Sequence, residues 1–197
     1  MKIIGICASP RRQKTTHHAL TAALEAAADT GAQTSLIELA GKKFGGCIAC
    51  GQCLKKPACS LDDELNPIVQ ALDDPELGGI IFATPVYFGG MTSQGKAFWD
   101  RCVLLRRNGF RLADKVGGAI AVGGFRNGGQ ETTIAQVHAA MLVHGMIVVS
   151  EGPPTSHFGG TCCSGGEGGI QADEFGLTTA RALGRRVATL AARLHRG

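Results

Sequence analysis

The sequence predicts an α/β domain: a doubly wound, five-stranded parallel sheet with helices on both faces. Short apolar runs alternate with longer Ala- and Leu-rich segments along the whole chain. The runs are almost continuously apolar, the pattern of strands buried on both faces. Gly and Pro punctuate the boundaries between segments.

Residues 2–8, KIIGICA, form the first predicted strand, bounded by Ser9-Pro10. Residues 14–30 place Leu20 and Leu24 one turn apart and meet Gly31, a stop signal, so they predict a helix. Residues 33–39, QTSLIEL, predict the second strand. Ser60-Leu61-Asp62-Asp63 resembles an N-cap box opening a helix across 63–73. Residues 78–84, GGIIFAT, predict the third strand, ended by Pro85. A helix is expected over 92–107, ended near Gly109, and a fourth strand over 116–123, VGGAIAVG. Residues 130–144 predict a helix stopped by Gly145, and 146–150, MIVVS, the fifth strand. A Gly-rich loop over 151–170 precedes a last helix over about 173–195.

At 197 residues the chain is sized for one domain, 1–197, with a cysteine-rich insertion loop at 44–60. Right-handed crossovers between parallel strands make the sheet doubly wound. Of the two common strand orders, five strands in so short a chain favour the flavodoxin-like one. Ligands of such sheets bind beyond the carboxyl ends of the strands.

Bulk properties exclude several function classes. A net charge of +4 is too mild to argue for nucleic acid. No segment approaches the roughly 18 apolar residues of a membrane span. The start, MKIIGICASPRR, runs straight into Pro10-Arg11-Arg12 and is not a secretory signal. The expected location is cytoplasmic, where clustered cysteines mean metal or redox chemistry more often than disulfides. The 29 glycines suggest loops that approach a ligand closely.

Three loops lie at the predicted ligand edge. After strand one, Ser9 to Thr16 put hydroxyls and cations at a helix N-terminus, which suits a phosphate. Neither G-x-G-x-x-G nor a Walker A loop is present there. After strand three, Thr84-Pro-Val-Tyr-Phe-Gly-Gly90 brings the one Tyr and a Phe beside two glycines, a wall for a flat aromatic cofactor. After strand four, Gly123-Gly-Phe-Arg-Asn-Gly-Gly-Gln130 offers backbone amides to a ligand's polar rim. A polar cap, a packed aromatic turn and an ordinary Gly-rich loop are the bland readings, each weakened by the other two loops.

ASPRRQKTT, TPVYFGGMTSQGKAFWDR and GGFRNGGQETT resemble the three flavin-contacting loops of the NADPH-dependent FMN reductase superfamily. With its cysteines the chain resembles the iron–sulfur flavoprotein branch, over nearly its whole length. The resemblance implies a flavodoxin-like fold, FMN, and a homodimer or homotetramer with flavin near the interface. Ser9, Arg11, Lys14, Thr15 and Thr16 would hold the phosphate. Pro85, Val86, Tyr87, Phe88 and Gly89 would line the isoalloxazine, and Gly123, Gly124 and Gly129 would meet its other edge. Lys14 stands where the family often has a small polar residue.

Cys47, Cys50, Cys53 and Cys59 follow the spacing C-x2-C-x2-C-x5-C. Three fates are open: a [4Fe–4S] cluster, zinc, or an unfilled or disulfide-bearing loop. Zinc usually takes two C-x2-C pairs far apart in sequence. A four-iron cluster takes one thiolate per iron and is served by compact C-x2-C-x2-C runs, which favours the cluster. The fourth ligand from a nearby Cys is similar to the compact motif of the iron–sulfur flavoproteins. Lys55 and Lys56 would offset cluster charge, and Pro57 would turn the chain toward Cys59. Because the stretch follows strand two, it is expected to emerge at the same edge as the flavin loops.

The remaining candidates read as ordinary residues. Cys7 and Cys102 read as core. Cys162-Cys163 lie in the Gly-rich loop, where a disulfide between neighbours would be strained. His138 and His144 do not share a helix face well; His17 and His18 read as solvated, and His157 is a loop residue that would meet a neighbouring subunit's flavin. Trp99 with Phe98 would pack the helix after strand three or join an interface. Arg181, Arg185, Arg186, Arg193 and Arg196 read as the wet face of the last helix.

The expectation is a flavin-dependent oxidoreductase with FMN and a [4Fe–4S] cluster. No catalytic residue is named, because the flavin does the chemistry. Electrons would pass between FMN and cluster, within one chain or across a subunit boundary, with ferredoxin or NAD(P)H as partner. The rivals are an NAD(P)H-dependent flavin or quinone reductase without a working cluster, and a non-enzymatic flavin or thiol redox sensor.

Overall fold

The computed structural model describes residues 1–195. Arg196 lies outside them. Five of the strands sit where the apolar runs place them: β1 Lys2–Cys7, β2 Gln33–Glu38, β3 Leu77–Pro85, β4 Val116–Gly123 and β5 Ile147–Val148. They pair in parallel in the order β2-β1-β3-β4-β5, the expected flavodoxin-like order. Every residue of β3 and β4 is buried, which explains their unbroken apolar sequence.

The helices are α1 Thr15–Ala28, α2 Asn66–Gln70, α3 Ser93–Arg101, α4 Val103–Arg107, α5 Gln130–Val143 and α6 Glu174–His195. Alternate strand residues feed two cores. Ile3, Ile81, Val116 and Ile120 pack with α1 and α6. Ile4, Ile6, Phe82 and Ala119 pack with Phe98, Trp99 and Met141 on the other face. The α1–α6 contact is close: a Cβ on Gly184 would overlap the carbonyl of Ala23. Phe98 and Trp99 are core residues, edge-to-face at 5.2 Å.

Three predicted elements differ. The fifth strand is only two residues long, and the Gly-rich loop holds a sixth, β6 Gly160–Cys163. Both pair with β4: β5 along Val116 and Gly117, β6 along Ile120 to Gly123. The loop 149–159 is thus an insertion that splits one edge strand. The helix expected over 63–73 shrinks to α2, with Pro67 in its first turn and no side-chain cap. Asp63 is engaged elsewhere, by Arg101. The helix expected over 92–107 is broken at Cys102 into α3 and α4.

Candidate functional site

The loop from β1 to α1 is fixed from behind. Thr92 Oγ1 donates to the Ala8 carbonyl at 2.7 Å and Gln94 Nε2 to the Ser9 carbonyl at 2.9 Å. Ser9 is buried, and its hydroxyl accepts from the Arg11 amide at 3.1 Å. Gln13 takes φ +49° while its amide donates to Glu38 Oε1 at 2.9 Å, the atom that also meets His17 Nδ1 at 2.9 Å. Arg12 turns away to the Ala40 carbonyl. Arg11, Arg12 and Lys14 are all exposed cations of this loop.

Lys14 is the N-cap residue of α1, yet no side chain caps the helix. The Thr16 hydroxyl is buried and has no partner. Bare amides in a first turn need an acceptor, and a buried orphan hydroxyl is rare. A phosphate at this turn satisfies both, which is the fit the FMN phosphate requires.

The loop after β3 is a tight turn. Tyr87 and Gly90 exchange both backbone hydrogen bonds, at 2.8 and 3.0 Å, and Phe88 and Gly89 take φ of +49° and +75°. This conformation thrusts the Phe88 ring fully into solvent, with Tyr87 half exposed beside it. Pro85 ends β3 in the core, and the Val86 amide donates to the Val122 carbonyl at 2.9 Å.

The loop after β4 is organised by the buried Gln130. Its Nε2 donates to the Phe125 carbonyl at 2.6 Å and to the Cys162 carbonyl at 3.2 Å, while its Oε1 accepts from the Gly128 amide at 2.8 Å. Gly123 ends β4, Gly124 is open, and Gly129 precedes α5 at φ +94°. Thr132 Oγ1 donates to the Gly89 carbonyl at 3.0 Å, tying the second and third loops. Ser9, Arg11, Lys14, Thr15, Thr16, residues 85–89, Gly123, Gly124 and Gly129 thus share one edge of the sheet.

The four cysteines of the 47–59 stretch line one small hollow, together with Ser60, Arg101 and Arg107. Among the described residues no three His, Cys, Asp or Glu side chains converge at single-ion distance. Donors surround the thiols. The Ala49 amide donates to Cys47 Sγ at 3.4 Å, Arg107 Nη1 donates to Cys53 Sγ at 3.3 Å, and Ser60 Oγ lies 3.0 Å from Cys50 Sγ. The Ser60 hydroxyl, the Gln52 amide and the Arg107 charge hold the Cys50 thiol below its usual range. This donor set suits thiolate ligands, whose hydrogen bonds tune a cluster.

The other thiols differ. Burial pushes Cys7 up to about 11 and Cys162 to about 12, and raises Cys102 as well. Cys163, half-buried, sits at the end of β6 opposite Gly123.

Arg101, 3% exposed, anchors the cysteine loop. It donates to both Asp63 carboxylate oxygens at 2.7 and 3.1 Å, to Asn66 Oδ1 at 2.7 Å, and to the carbonyls of Gly45 and Leu61. The sequence reading missed Arg101, Asp63 and Arg107. A signal existed: Arg101 falls among Phe98, Trp99, Leu104 and Leu105, and a charge in an apolar stripe demands a partner.

The cysteine stretch emerges after β2 at the same edge as the flavin loops, as expected, because β2 runs parallel beside β1, but it does not stay there. It runs down the flank of α3 and α4, where Arg101, Val103, Leu104 and Arg107 line its hollow. Thr92, at the start of α3, touches Ala8 on the edge. At 1.5 Å per residue, Arg101 is roughly 13 Å farther along.

Known proteins give the arrangement its family. A family model described as NADPH-dependent FMN reductase matches residues 1–160. An iron–sulfur flavoprotein of Methanocaldococcus jannaschii is 46% identical over 188 residues, covering 95% of this chain and 96% of that one. An iron–sulfur flavoprotein of Methanosarcina thermophila is 45% identical over 160 residues, 81% of each chain. Among solved structures, a WrbA-like flavodoxin from Agrobacterium tumefaciens superposes with a TM-score of 0.68, at 22% identity and 98% coverage of each chain. The chain belongs to the NADPH-dependent FMN reductase family, in its iron–sulfur flavoprotein branch. By that membership it is a flavin-dependent oxidoreductase that binds FMN.

Proposed function

We propose that the chain carries electrons between FMN at the sheet edge and a [4Fe–4S] cluster held by Cys47, Cys50, Cys53 and Cys59, and exchanges them with a donor such as ferredoxin or NAD(P)H. One observation carries the reading: all four cysteines of a compact motif line a single hollow ringed by hydrogen-bond donors. When bound, FMN exchanges one or two electrons and the cluster one, so the pair divides two-electron currency into single steps.

This chain's own residues supply binding and tuning. Ser9, Arg11, Lys14, Thr15 and Thr16 hold the phosphate. Residues 85–89 and Gly123, Gly124 and Gly129 take the two edges of the ring system. Arg107, Ser60 and the Ala49 amide donate to the thiolates, while Lys55 and Lys56 offset their charge. Arg101 keeps the loop on α3.

The separation of thiols and flavin edge within one chain favours transfer across a subunit boundary. Exposed apolar side chains at both places support a homo-oligomer: Phe88 and Phe125 toward the flavin edge, and Ile48 and Leu54 beside the thiols. No described helix is long and apolar enough to cross a membrane, and cytoplasmic residence fits reduced thiols. Staged anaerobic reduction followed by electron paramagnetic resonance tests the reading. A reduced-cluster signal after iron loading is the expected result. A flavin signal alone, in iron-loaded protein, would sink it.

A further inference from the structure

Three arginines of α6 share a groove with the loop 149–159. Arg185, Arg186 and Arg193 face Glu151, Pro153 and Pro154 across a hollow of about 470 Å³. That size suits a small molecule. Among the described residues none of the three guanidiniums has an ion pair or a hydrogen-bond acceptor. Arg186 lies against Gly152, where a Cβ would overlap its guanidinium.

Glu151 supplies the opposite chemistry. Its carboxylate is fully buried. Oε1 accepts from the His157 amide at 2.6 Å, from Thr155 Oγ1 at 3.0 Å and from His157 Nδ1 at 3.1 Å. Oε2 has no partner, not even the neighbouring Arg186. A carboxylate accepts only, so the spare oxygen calls for an N–H or O–H donor. A buried polar atom left without one is costly.

The two features select one ligand chemistry. Arginine forks match phosphate oxygens, and three unpaired guanidiniums ask for an anion. Arg186 and Arg193 are seven residues apart on α6, about 10 Å along its axis. Their long side chains close that gap over two linked phosphates better than over one. Three guanidiniums against one carboxylate leave the lining a net charge of +2, so the like charge of Glu151 is outweighed. A bare diphosphate brings acceptors and gives Oε2 nothing. The ligand therefore also carries a hydroxyl or amino group. Pro153, Pro154 and Leu190 offer the rest of it an apolar wall.

We infer that this groove binds an organic diphosphate of the nucleoside diphosphate class, with its phosphates on Arg185, Arg186 and Arg193 and a hydroxyl or amino donor on Glu151 Oε2. No residue lining it belongs to the flavin loops or to the cysteine stretch, so the inference is independent of both cofactors. One side chain nevertheless connects the groove to the flavin edge. His157, held by Glu151 Oε1, lines a second hollow with Gly129 and Thr132 of the third flavin loop and α5.

Calorimetric titration of the FMN-loaded full chain with ADP, pyrophosphate and adenosine tests the inference. Loading with FMN keeps the added phosphates off the loop after β1. ADP and pyrophosphate bind, and adenosine does not. Arg186→Met and Arg193→Met each weaken both phosphate ligands about tenfold. Arg181→Met, on the same helix but outside the groove, changes neither. Glu151→Gln keeps an acceptor for His157 and puts an amide donor in place of the spare oxygen. It weakens ADP about tenfold and leaves pyrophosphate unchanged. Nitrogen-15 resonance of the His157 ring moves on adding ADP, and in Glu151→Gln it checks that the loop stays folded. No ADP binding, or wild-type ADP affinity in both groove-arginine variants, overturns the inference. So do equal losses in Arg181→Met and Arg186→Met, which mean general attraction to a basic surface. ADP and pyrophosphate changing alike in Glu151→Gln contradicts the role given to Oε2.

Discussion

The loops after β1 and after β2 leave neighbouring strands at one edge of the sheet, yet they are held in different ways. The first is short, backed by Thr92 and Gln94, and offers backbone amides at the start of α1. The second wanders for more than twenty residues with one 3-10 turn and no strand, and its ligands are side chains. Its buried fastening is the Arg101 guanidinium, which meets Asp63, Asn66 and two carbonyls, with Arg107 and Asn108 holding Cys53 nearer the surface. A site made of backbone comes with the fold. A site made of side chains on a loop comes only with its anchor, so the two sites should fail independently.

Removing a thiolate separates them most sharply. Changing Cys50 or Cys53 to Ser is expected to bring iron content close to zero while FMN stays stoichiometric, read by metal analysis and flavin absorbance. Parallel loss of FMN would show that the sites are not separable.

Removing the anchor comes next. Arg101→Met leaves Asp63 and Asn66 without their partner, and breaking such a buried pair costs about 3 kcal/mol. Urea unfolding should show the loss, and proteolysis should cut first between residues 43 and 62. FMN affinity of the remaining folded protein should be unchanged.

Thr16→Val probes the other site. A hydrogen bond to a charged group is worth about 1.5–3 kcal/mol, so FMN affinity falls roughly tenfold to hundredfold by flavin titration. Stability of the flavin-free protein does not fall, since the hydroxyl removed has no partner there.

Acid gives the smallest effect. Burial pushes the Asp63 carboxyl up, but hydrogen bonds from Arg101 and the Gly45 amide outweigh it and hold it below the usual value. Its contribution is complete above the unfolded value of about 3.9 and disappears as pH falls through the lower folded value. The cysteine loop should therefore loosen below about pH 4, detected by proteolysis, and Asp63→Asn should remove that dependence.

The strands were legible because β1, β3 and β4 are buried on both faces and their sequences are apolar throughout. β6 was not, because Gly160-Thr-Cys-Cys163 is four residues in a Gly-rich stretch. Its cue is long-range: β5 covers only Val116 and Gly117, and the bare edge of a buried strand needs a partner. The helix expected over 63–73 is shorter, Asn66–Gln70, for a related reason. Asp63 reads locally as a cap, but Arg101, 38 residues on, takes its carboxylate. The cysteine motif was plain in sequence. Its place beside α3 and α4 was not, since that depends on the same ion pair. Glu151 and His157 are six residues apart, and nothing local marks them as partners.

The claim that one chain carries both cofactors is tested most directly by anaerobic purification with iron, zinc and flavin quantified together. About four irons and about one FMN per chain, without zinc, is the predicted result. FMN accompanied by zinc, or by no iron after loading with iron and sulfide, would contradict it.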